Sequence, residues 1–215
     1  MHDLTELWLE GSVMAVIHAA GAEQGYWVDE TGLNHDDGSS NWWQLVPLGG
    51  GRAVVMGKDH DLSGDVCDDI AQTLSDGSAW LREAWENDSG GLRRTVNAKA
   101  PIGFFHWYDT DGTQDCVPTE DEDDGSTLVS APFSDGDQRL FEAYYGVGDL
   151  DEADRFADAL LDAARAGALT ADVLLPVLRC ADPDRTRPFD LESALKTAAM
   201  AGLVAGSRAP ELPAR

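Results

Sequence analysis

Apolar residues recur along this chain in two rhythms. Up to residue 133 they come in short runs broken by Gly, Trp and Asp-Gly pairs; from 134 onward they return every three or four positions. Leu150, Ala153, Phe156, Ala157, Leu160, Leu161 and Ala164 share one helical face, with Asp154, Asp158 and Asp162 opposite. Gly167 is placed to end that helix. Residues 170–180 predict a second helix, kinked or restarted at Pro176. A third spans 191–201, with Asp190 as N-cap and Gly202 as its stop.

The first half alternates between elements. Leu4, Leu7, Trp8, Met14, Ile17 and His18 suit one helix, although Gly11 interrupts it. Residues 26–28 predict a short strand. Residues 42–48 and 52–56, joined by Gly49-Gly50-Gly51, predict a β-hairpin, its first arm ending at Pro47, which cannot donate to a ladder. Helices are expected over 62–74 and 78–85, a loop over 87–91, and an aromatic strand over 102–108. A shorter strand is expected over 128–133. The fold class that follows is α+β: a small antiparallel sheet with flanking helices, then a helical C-terminal unit. The expected boundaries are 1–133 for the α+β domain, 134–207 for the helical unit packed on it, and 208–215 for a frayed tail. Trp43, Leu45, Val54, Phe105 and Trp107 are the expected core of the sheet.

The run Trp42-Trp43-Gln44-Leu45-Val46-Pro47-Leu48, the three glycines, Arg52-Ala53-Val54-Val55 and Asp59-His60-Asp61 resembles a segment in uncharacterised acidic proteins of actinomycete bacteria. The resemblance covers residues 42–61, roughly a tenth of the chain. It implies a bacterial origin and carries over no functional residue.

Charge changes the picture most. Asp+Glu number 40 against Lys+Arg at 15, a formal net charge of −25. A field of that sign repels nucleic-acid phosphates and anionic lipid and attracts cations or basic proteins. Hydrophobic residues at 43% are too many for a disordered acidic tail, so the acids must coat a folded surface. No stretch approaches the roughly 20 apolar residues that span a bilayer. The best candidate, 12–20, follows acidic residues and does not suit a signal peptide. Cys67, Cys116 and Cys180 form no C-x-x-C pair, so neither a disulfide framework nor a zinc knuckle is expected, and a reducing cytoplasm is.

Two segments carry candidate chemistry. Numbered from Asp59, the stretch Asp59, Asp61, Ser63, Gly64, Asp65 places oxygens at positions 1, 3, 5 and 7 and glycine at 6, as calcium loops of the EF-hand kind do. Position 12 is Ile70 and not the bidentate Glu, and a strand precedes the loop. The alternative is a strand-to-helix turn capped by Asp61 or Ser63. The run Glu120, Asp121, Glu122, Asp123, Asp124 is the densest charge, either a solvated loop or an electrostatic hook for a basic partner. Asp109, Asp111 and Gly112 suit a tight turn. His60 and His106 stand beside Asp pairs, yet neither H-E-x-x-H nor a nucleophile elbow or P-loop is present.

Three functions remain. The first expectation is a non-catalytic interaction factor, immunity- or antitoxin-like or an adaptor, docking a basic protein through Glu120–Asp124, without cofactor, nucleic acid or membrane. The second is a calcium-binding protein using Asp59, Asp61, Ser63 and Asp65. The third is a hydrolase with an Asp/His site.

Overall fold

The computed structural model describes residues 3–21, 25–63, 70, 72–74, 78–117, 124–133, 150–181 and 188–213. It is α+β. Six strands, β1 (Tyr26–Asp29), β2 (Gly32–Asp36), β3 (Trp42–Gly49), β4 (Arg52–Lys58), β5 (Phe104–Tyr108) and β6 (Gln114–Cys116), lie in sequence order in one sheet. The helices are α1 (Leu4–Ala19), α2 (Ala79–Glu86), α3 (Leu92–Lys99), α4 (Leu150–Arg165), α5 (Ala171–Ala181) and α6 (Leu191–Ala201). Two compact units emerge: Met1–Leu4, Asp29–Val129 and Glu211–Arg215 form one, Thr5–Val28 and Ser130–Pro210 the other.

In the first unit the predicted hairpin is present. Gly49, Gly50 and Gly51 all take positive φ, +81°, +61° and +71°, a conformation open to glycine at little cost. Pro47 does not end the arm: it pairs with Ala53, with a register shift between Pro47 and Gly49, and strand alternation from the bonded 37–41 pair turns its missing donor away from β4. Strands β2 to β6 pair antiparallel throughout. The five expected core residues are buried, but on two faces and not one. Val54 faces Trp107 across the ladder and Met56 faces Phe105, while Trp43 and Leu45 align with Gly57 and Val55 on the opposite face. Successive side chains on a strand point to opposite sides, so a sheet buried at every position of β5 is covered on both. Against the Val54 face pack Leu81 of α2, Leu92 and Val96 of α3, and the helical Ile70 and Leu74.

Residues 128–133 are not a strand. Ser126–Leu128 is a 3-10 turn entered through Gly125 at φ +83°, and the chain beyond it is irregular. Pro132 removes a ladder donor from that short apolar run.

In the second unit α1 is buried around almost its whole circumference, which explains why Gly11 does not break it: packing outweighs a cost of about 1 kcal/mol for glycine in a helix. His18 is a core residue, its Nδ1 accepting from the N–H groups of Gly25 at 3.2 Å and Tyr26 at 2.9 Å. Glu10 is buried and accepts from the Phe133 N–H at 2.7 Å, a pairing across more than a hundred residues. Trp8 Nε1 donates to the Ala201 carbonyl at 3.0 Å. Asp190 caps α6 as predicted, accepting from the Ser193 N–H at 2.9 Å. Gly202 ends it at φ +85°, where a Cβ would lie 2.1 Å from the Ala209 nitrogen. Helix α5 runs through Pro176.

Candidate functional site

The densest polar arrangement in the first unit lies on the Trp43 face of the sheet, at its β5–β6 end. Strand alternation puts His106 between Phe104 and Tyr108, all three buried. His106 Nε2 meets Asp124 Oδ2 at 2.6 Å, and its Nδ1 meets Gln114 Nε2 at 3.0 Å. An amide nitrogen only donates, so Nδ1 is the acceptor and the proton sits on Nε2, directed at the carboxylate. Both ring nitrogens are engaged. Such a ring is oriented but has no open nitrogen with which to take a proton from a nucleophile, as general-base catalysis requires.

Asp124 is the described end of the acidic run. Its Oδ1 accepts from the Ser126 N–H at 2.9 Å, and its carbonyl accepts from the Ser63 hydroxyl at 2.8 Å. Burial pushes this carboxyl up, but the Ser126 hydroxyl and N–H and the His106 ring outweigh it and hold Asp124 below its ordinary value. Asp124 is therefore tied into the fold. Glu120, Asp121, Glu122 and Asp123 lie outside the described residues.

Ser63 joins this network to the Asp59 turn. Its hydroxyl also accepts from the Asp59 N–H at 2.9 Å, and the Asp59 Oδ1 accepts from the N–H groups of Asp61 at 2.9 Å and Leu62 at 3.0 Å. The turn is capped by Asp59 itself, while Asp61 is exposed. Gly103 and Gly125 close over Ser63: a Cβ on either would stand 2.1 Å from its Cβ or 2.3 Å from its hydroxyl, respectively. Asp65 lies outside the described residues. Among the described residues no three His, Cys, Asp or Glu side chains converge as a metal site would require. Exposed His60 donates its N–H to Asn41 Oδ1 at 2.7 Å.

Two further groups complete this end of the sheet. The Tyr108 hydroxyl is buried without a hydrogen-bond partner among the described residues, and burial pushes it up to about 12, with Asp124 and Cys116 adding to the rise. The Asp109 segment is the tight turn expected, with the Gly112 N–H donating to the Asp109 carbonyl at 2.9 Å and the Thr113 N–H to Asp111 Oδ1 at 2.9 Å. Asp109 also meets Arg52 Nε at 2.9 Å. In the other unit, Asp158 and Asp162 are exposed on α4, opposite buried Ala157, Leu160, Leu161 and Ala164, and Asp162 stands 3.7 Å from Arg165.

Sequence reasoning foresaw the turns but not the pairing of His106 with Asp124, 18 positions on. The available signal was strand alternation, which turns His106 toward a buried face. A buried imidazole needs a partner. No family model matches the chain, nor does any curated protein or solved structure. Among the described residues no helix is long and apolar enough to cross a membrane.

Proposed function

We propose that this is a non-catalytic interaction factor, immunity- or antitoxin-like or an adaptor, that docks a positively charged protein in a bacterial cytoplasm. The observation that carries the reading is the charge: 40 acids against 15 Lys and Arg, so that 25 acids have no cation to match one for one. A magnitude of about 2–8 suffices for the solubility of a small domain, and an excess destabilises the compact state by self-repulsion. Two features support it. Asp158 and Asp162 of α4 are turned outward. The one buried His–carboxylate pair of the β5–β6 end has its imidazole committed on both sides.

Isolation of partners from the native host at low salt, with their identification by mass spectrometry, is the direct test. The enriched protein should be basic, and its association should slow steeply with salt, because exposed charges are screened over about 8 Å at physiological ionic strength. Asp158→Asn with Asp162→Asn should slow it further without changing the melting temperature. If no basic partner is enriched and stability instead climbs steeply toward molar salt, the charge is an adaptation to a saline environment and the docking reading fails.

A further inference from the structure

Strand β6 ends the sheet, and its register with β5 fixes where its backbone points. The Val117 N–H donates to the Phe105 carbonyl and the Asp109 N–H to the Thr113 carbonyl, both at 3.0 Å, so 105–117 and 109–113 are hydrogen-bonded pairs. In an antiparallel ladder such pairs alternate with pairs whose main-chain groups turn away from each other. Trp107–Asp115 is then a bonded pair, whereas Gln114 and Cys116, opposite Tyr108 and His106, present N–H and C=O outward. On that side no strand lies among the described residues. The Cys116 N–H is held by its neighbour instead, donating to Asp115 Oδ1 at 2.9 Å. Asp115 and Cys116 are exposed, and exposed Asp111 and half-buried Asp109 stand on the hairpin turn beside them.

We infer that the β6 edge receives an extended, cationic segment of the partner, which adds to the sheet as a further strand. This deepens the docking function proposed above and rests on it. An open edge is a template for strand addition, in which main-chain bonds supply affinity and flanking side chains supply selection. Here the flanking groups are acids. An incoming carbonyl must displace Asp115 from the Cys116 N–H, and a lysine or arginine on the incoming strand then meets the released carboxylate. A second copy of this chain brings the same negative charge to the same rim and is repelled, so the occupant is a basic strand.

The test uses a short blocked peptide of alternating lysine and threonine, and the same peptide methylated on alternate backbone nitrogens, which keeps the charge but cannot pair. The whole protein should bind the unmethylated peptide about tenfold more tightly, the effect of one or two net hydrogen bonds. The amides of Gln114 and Cys116 should become protected from hydrogen exchange in that complex. Cys116→Pro removes an outward N–H without touching the β5 ladder and should erase the difference; the exchange measurement on the unaltered protein stands whether or not that variant folds. Equal binding of both peptides with no change at Gln114 or Cys116 overturns the edge assignment and leaves electrostatic docking standing. Failure of both peptides to bind at low salt overturns docking as well. Concentration-dependent pairing of the protein through β6 would show the occupant to be a second copy and overturn the assignment too.

Discussion

Replacing Asp124 by alanine should destabilise the first unit by about 2 kcal/mol. The carboxylate accepts from His106 Nε2–H at 2.6 Å and from the Ser126 N–H at 2.9 Å. Its removal leaves the ring of His106, only 6% exposed, with a buried donor that water hardly reaches. A hydrogen bond to a charged group contributes about 1.5–3 kcal/mol, and the side chain of Asp124 is 18% exposed, which places the loss near the middle of that range. In a protein of this size about 2 kcal/mol lowers the melting temperature by roughly 4–8 °C. Asp124→Asn keeps an acceptor oxygen and should lose about half as much. Acid provides an internal control. The folded-state pKa of Asp124 lies below its ordinary 3.8, so its contribution is complete above that value and is lost as pH falls through the depressed one. Melting curves of wild type and Asp124→Ala, well separated near neutrality, should draw together in that acid window. Coincident curves at neutral pH, or a gap that does not narrow in acid, would show that the pair contributes nothing.

Two other substitutions probe the same end of the sheet. Tyr108→Phe removes a buried hydroxyl with no partner among the described residues and should be neutral or stabilising by up to about 1 kcal/mol in urea unfolding; a clear loss would mean that the hydroxyl is bonded. Gly103→Ala drives a Cβ to within 2.1 Å of the Ser63 Cβ and should cost about 2–3 kcal/mol. Adding Ser63→Gly should recover part of that cost, because residues in contact are not additive, and strict additivity of the two would contradict the close approach.

The elements legible in the sequence are those whose local signal agrees with the tertiary demand. The hairpin over β3 and β4 has a glycine turn between apolar arms, and α4 and α6 have an unbroken period with a glycine stop. Strand β2, Gly-Leu-Asn-His-Asp, has neither apolar alternation nor β-branched residues, and it is its pairing within the sheet, the ladder to β3 included, that makes it a strand. Helix α3 is masked by Arg93 and Arg94 at its positive end and by Thr, Val and Asn, all poor helix formers, although buried Leu92, Thr95 and Val96 do fall at helical spacing. Strand β6 is three residues long and polar, too short for any period to register. At the site, the turns were visible because Asp and Gly act locally. The bond between His106 and Asp124 was not, since it closes over a hairpin and depends on which face β5 turns inward.

Asp124 is tied into the fold, so a sharper test of the proposed docking spares it and replaces the rest of the run. Asp124 is engaged by His106, Ser63 and Ser126, so it acts on stability. On the proposed docking reading, the four like charges at 120–123 would contribute to encounter with a basic partner through their field. Replacing all of 120–124 with Gly and Ser would mix the two effects: the melting temperature should fall by about as much as in Asp124→Ala, and slower association could then be blamed on a loosened sheet end. Replacing 120–123 and sparing Asp124 separates them. On that reading the melting temperature should stay within about 2 °C of wild type, the range of a substitution that costs no more than about 0.5 kcal/mol. Association with the basic partner should slow severalfold at low salt and converge with wild type as salt rises past the point where the Debye length shrinks to about 3 Å, near molar concentration. Unchanged association at low salt would remove the run from the docking surface and leave Asp158 and Asp162 of α4 and the exposed acids of the β5–β6 end to account for it.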